Sequence, residues 1–95
     1  MTTPIERSFS DDMMALIHSF PCLRSFPGPW DALAFQTWGH GKSSGEKHAI
    51  RFVLSVWNPT TRWKVGRFDL HEALGTWDSG NRAAFVAWAQ KPWWP

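Results

Sequence analysis

The stretch HAIRFVLSVW, residues 48–57, decides the fold. Read with a period of two, Ile50, Phe52, Leu54 and Val56 point one way, while Arg51, Val53, Ser55 and Trp57 point the other. β-branched and aromatic residues dominate it, and alternation of this kind is the mark of a half-buried strand. On that reading GHGKSSGEK, residues 39–47, is a flexible loop before the strand, and NPTT, from Asn58, is a turn after it.

The neighbours are then read to match. RWKVGRF, residues 62–68, becomes another strand, with Trp63 and Val65 on one face. DALAFQTW, residues 31–38, is open to two readings. Asp31 suits the cap of a short helix, whereas Leu33, Phe35 and Thr37 alternate as in a strand, and the adjoining pattern favours the strand. Short connections make these three segments an antiparallel meander.

Helices flank the meander. In SFSDDMMALIHSF, Ser8 or Ser10 offers a cap and Asp11 and Asp12 suit a first turn, where the helix dipole favours anions. Met13, Leu16, Ile17 and Phe20 form one apolar stripe, and Pro21 ends it. PCLRSFPGPW is a connection with three prolines. Asp69, with Glu72 three residues on, opens a helical turn that Gly75 ends. Asp78 or Ser79 opens the last helix, which aligns Asn81, Ala84, Phe85 and Trp88 before Pro92 stops it. The expected fold class is α+β: a single domain over residues 1–95, with the helices packed on one face of the sheet.

Composition bounds the function. With 43% hydrophobic residues, eight tryptophans and seven phenylalanines, 95 residues suffice for one core. Cys22 is the lone cysteine, so no internal disulfide or thiolate cluster is available. MTTPIERSFSDD lacks the basic start and apolar run of a secretory signal, and no stretch approaches a membrane span. Asn58 is followed by proline, which blocks glycosylation. The expectation is a cytoplasmic protein with no membrane partner.

Charge is uneven. Residues 1–40 sum to −2 and residues 41–95 to +4, giving the net +2. Lys42, Lys47, Arg51, Arg62, Lys64 and Arg67 are opposed between positions 42 and 67 by Glu46 alone. Such a patch attracts acidic partners or phosphates, although charged strand faces also serve simply to guard sheet edges.

Motifs resembling chemistry do not hold together. PWWP at Pro92–Pro95 spells the name of a chromatin-reading family, but there the motif lies early and a barrel follows it. The resemblance covers four residues and is set aside. The tail reads better as tryptophans folded onto the last helix than as a peptide offered to a partner's groove. GHGKSSGE lacks the first glycine of a phosphate-binding loop, because Gln36 stands there. His40 and His48 would flank a hairpin loop beside Glu46, which is weak grounds for a metal. His71, beside Asp69 and Glu72, is not tied to Cys22 by anything in the sequence. No catalytic set, metal or cofactor is therefore assigned.

A non-enzymatic protein-binding module remains, of the adaptor or inhibitor type that phages and plasmids carry. Its partner-binding residues are Arg51, Trp57, Arg62, Lys64 and Arg67, placed on the open face of the sheet. The alternative is a single-stranded nucleic-acid binder using the basic 42–67 segment, with bases stacked on tryptophan. A self-associating protein that buries its tryptophan-rich face in a homodimer is third.

Overall fold

The computed structural model describes the chain from Pro4 to Pro95; Met1 to Thr3, part of the stretch read for a signal, lie outside the described residues. Five helices follow in order: α1 (Pro4–Ser19), α2 (Ala32–Trp38), α3 (Ser44–Trp57), α4 (Leu70–Thr76) and α5 (Ser79–Gln90). A 3-10 turn, Pro21–Leu23, follows α1. No strand occurs among the described residues, which overturns the α+β class, the three-stranded meander and the sheet face on which the helices were to pack.

The correction begins at residues 48–57, which lie inside α3. Its start is built by Ser43 and Glu46: the Ser43 hydroxyl accepts from the Glu46 amide, and Glu46 Oε1 accepts from the Ser43 amide at 3.2 Å. This reciprocal cap satisfies two otherwise orphaned donors and turns the supposed loop into a helix N-terminus. From Lys47 to Val56 every residue is buried except Lys47, Arg51 and Ser55. Those three recur every four positions, so they form one narrow polar seam on a helix buried around the rest of its circumference. Such a helix resembles a buried strand in sequence, because its apolar residues fall on both parities.

Residues 31–38 are helical as well. Asp31 caps α2, its carboxylate accepting from the Ala34 amide at 2.9 Å. Residues 62–68 form an irregular loop with a turn closed by the Gly66 amide on the Trp63 carbonyl (3.0 Å). Gly66 has φ +101°, a conformation that side-chain-bearing residues rarely adopt.

The flanking helices stand where the pattern placed them, with changed limits. Met13, Leu16, Ile17 and Phe20 are all buried. Ser8 and Ser10 lie within α1, so neither caps it. Asp69 caps α4 by accepting from the Glu72 amide (3.0 Å), and the helix runs through Gly75 to Thr76. Asp78 caps α5 through the Asn81 amide (2.9 Å).

α3 is the axis of the molecule, in contact with α1, α2, α4 and the 3-10 turn, while α5 packs on α1 and the same turn. Aromatic rings fill two regions along it. Phe52 meets Phe20, Phe68, Phe85 and Trp88 at centroid separations of 5.1–5.8 Å. Elsewhere, Phe26 packs on Phe35 and Trp38, and Trp30 packs on Phe35 and Trp57. Trp77 is buried in the core and Trp30, Trp38, Trp57, Trp63, Trp88 and Trp93 pack partly buried against it, so most of the tryptophans contribute area to the fold.

Candidate anion-binding cleft

The polar seam of α3 is where the central helix reaches solvent, and the 59–68 loop crosses it. Two side chains fix that crossing at Val65. The Val65 amide donates to Gln36 Oε1 of α2 at 3.0 Å, and the Val65 carbonyl accepts from Arg51 Nε of α3 at 2.6 Å. Gly66 lies directly over the guanidinium: a Cβ built there would sit 3.3 Å from Arg51 Nε. The positive φ favours glycine, and the close approach leaves little room for a Cβ.

On one side of this crossing lies a cleft of about 440 Å³ lined by Gln36, Thr37, Gly39, His40, Lys47, Arg51, Lys64 and Val65. Three cations and an imidazole face it, and none of its lining residues is a carboxylate. Lys47 and Arg51 come from successive turns of α3, Lys64 from the loop, and His40 from the α2–α3 connection. Nearby, Lys42 lies over the Trp38 ring, 4.2 Å from its centroid. On the other side is a hollow of about 690 Å³ lined by Ser55, Arg62, Trp63, Gly66, Arg67, Phe68 and residues 59–61, again without a carboxylate.

The five residues assigned from sequence are therefore divided. Arg51 and Lys64 share the cleft, and Arg62 and Arg67 share the adjoining hollow. Trp57 is elsewhere, half-buried and edge-on to Trp30 at 5.2 Å. Six positions along an α-helix turn the chain about 240° beyond one full turn, so Arg51 and Trp57 point about 120° apart. The exposed sheet face that was to hold them together does not exist. Lys47, named only within the basic 42–67 segment, and Gln36, His40 and Gly66 were not among the assigned partner-binding residues. The signal for Lys47 was its spacing of four from Arg51, which has this meaning only once 44–57 is helical.

The remaining candidate chemistry is dispersed. His48 lies inside α3 at 6% exposure with Nδ1 unpartnered, rather than flanking a hairpin loop with His40. No group of three or more metal-ligating side chains occurs among the described residues. Cys22 shares a hollow with Glu46, Asp78 and Asn81, and no histidine lines it. Burial first, and then the charges of Glu46 and Asp78, push its thiol up to about 11, opposite to the shift that activates a nucleophile. In the tail, Trp93 packs on the core and its carbonyl accepts from Trp88 Nε1 (3.1 Å), while Trp94 is 58% exposed and edge-on to Trp88.

No family model, curated protein or solved structure matches this chain. No described helix is long and apolar enough to cross a membrane.

Proposed function

We propose that the chain is a small non-enzymatic protein-binding module that receives an acidic segment of its partner on the seam of α3. The observation that carries this reading is the cleft in which Lys47, Arg51 and Lys64 converge with no lining carboxylate, one of them already fixed by a hydrogen bond to Val65. Complementary charge of this kind steers encounter and selects partners. Arginine held in one orientation loses less entropy on binding than a free side chain. Arg62 and Arg67, in the hollow beyond the loop, extend the cationic surface beyond the cleft.

A second reading has one observation in its favour. Trp63 and Phe68 stand beside Arg62 and Arg67 in that hollow, which suits a base stacked among cations. Crosslinking in extracts of the native host, with wild-type and Lys47→Glu/Lys64→Glu baits, separates the two. The expected result is a protein crosslinked to the wild type and lost with the double variant, whose melting temperature is unchanged. Capture of oligonucleotides instead, with affinity falling steeply as salt rises, would replace the protein reading with the nucleic-acid one.

A further inference from the structure

We infer that the cleft between α2, α3 and the 59–68 loop is a subsite for a phosphomonoester dianion carried on a side chain of the partner. The inference rests on the protein-binding reading and names the group that reading leaves open. A single carboxylate brings one negative charge, whereas a phosphomonoester brings about 1.5–2 near neutral pH with three strong acceptor oxygens. Lys47, Arg51 and Lys64 supply three positive charges, and Thr37 and His40 also line the cleft. Three cations around one carboxylate would leave excess charge unneutralised; a dianion matches them better.

Arg51 gives the cleft its geometry. Its Nε–H is committed to the Val65 carbonyl, so the plane of the guanidinium is set before any ligand arrives. The terminal nitrogens keep the other four of its five donors, in the planar fork that matches phosphate oxygens. Gly66 lies against the Nε–Nη2 edge of the guanidinium, with 3.3 Å and 3.5 Å from those nitrogens to the position a Cβ would take. A cleft of about 440 Å³ has room for a phosphoryl group with the side chain that bears it. A phosphodiester, as in a nucleic-acid backbone, offers one charge and two substituted oxygens, and so matches less well.

The test is a titration followed by NMR at constant ionic strength, using phenyl phosphate, dimethyl phosphate and acetate as separate probes. The Arg51 Nε–H and Val65 N–H resonances report on the cleft. Phenyl phosphate is expected to shift both saturably, with the other two anions binding at least about tenfold more weakly. Lys47→Gln and Lys64→Gln should each weaken phenyl phosphate by about tenfold, the scale of one lost charge-assisted hydrogen bond, without lowering the melting temperature. Equal responses to all three probes, or none to phenyl phosphate, overturn the inference. Phosphatase treatment of the extract before crosslinking is the second arm, and it should abolish capture. If capture survives phosphatase and phenyl phosphate does not bind, the protein-binding reading stands and the phosphate subsite falls. If phenyl phosphate binds yet capture survives, the cleft takes a free phosphomonoester and its assignment to the partner is wrong.

Discussion

Val65 is the point at which the structure is most open to refutation, because a non-helical loop over a charged seam rests on two side-chain bonds there. Arg51→Met keeps most of the aliphatic stem and removes the donor to the Val65 carbonyl; Gln36→Met keeps the length and removes the acceptor for the Val65 amide. A hydrogen bond from a charged group contributes about 1.5–3 kcal/mol and a neutral one about 1. Arg51 and Val65 are only half-buried, so water recovers part of the loss and the lower end applies, about 1.5 kcal/mol. For a domain this size 1 kcal/mol moves the melting temperature by about 4–8 °C. Arg51→Met should thus melt about 6–12 °C lower and Gln36→Met about 4–8 °C lower. The double variant should lose less than the sum, by about 0.5 kcal/mol, because the two bonds hold one loop and the loss is capped once that loop detaches. Urea denaturation followed by tryptophan fluorescence gives the stabilities, and amide exchange at Val65 gives the local opening. Unchanged stability in both single variants, with Val65 still protected, would refute the crossing as described.

Four further outcomes rest on packing and charge. Phe52→Ala, which empties the meeting point of Phe20, Phe68, Phe85 and Trp88, should cost about 3–5 kcal/mol in urea denaturation; a loss below about 1 kcal/mol would show that these rings do not converge. Trp77→Phe keeps a ring against Phe20 but removes the Nε1–H donated to the Gly45 carbonyl (3.0 Å), for an expected loss of about 1 kcal/mol in the same assay. The Cys22 thiol, raised from 9.0 to about 11, should react with iodoacetamide about 100-fold more slowly than in the urea-unfolded chain at neutral pH. Because the unfolded thiol ionises first, Cys22 contributes a fall in stability that begins near pH 9 and is complete above about pH 11, an effect a Cys22→Ala control should lack.

How much of this was legible in the sequence depends on what each segment buries. α1 shows one stripe to the core, and Met13, Leu16, Ile17 and Phe20 announce it at helical spacing. Asp69 and Asp78 announce the starts of α4 and α5 because a capping carboxylate needs only three residues of context. α3 has no such contrast. Ile50 and Leu54 share a parity with Phe52 and Val56, while Val53 does not, and all are buried because the helix is surrounded. The deciding signal was Ser43 with Glu46, a reciprocal cap hidden in a stretch whose glycines look like a loop. The same misreading moved the site. A period of two puts Lys47, Arg51, Ser55 and Trp57 on one side, whereas the helical period keeps the first three together and turns Trp57 toward Trp30. The run of cations between 42 and 67 is visible in the sequence, whereas their division between cleft and hollow and the place of Trp57 follow only from the helix.

The fold also explains why a binding surface arises here. Between Lys47 and Val56, a helix surrounded by α1, α2, α4 and the 3-10 turn meets solvent along its seam, and that seam carries Lys47 and Arg51 on the central helix of the molecule. Arg51 serves both sides of the contact, since its Nε holds the loop and its side chain lines the cleft. On the proposed reading, loop order and anion binding are linked. A ligand that engages the guanidinium only while Nε is bound to Val65 must stabilise the closed loop by the same free energy that loop closure adds to its own affinity. Exchange at the Val65 amide should then slow as phenyl phosphate is added, and the slowing should vanish in Arg51→Met. Slowing that persists in that variant would mean that the anion orders the loop through Lys64 alone, and that Arg51 is a structural clamp rather than a shared one.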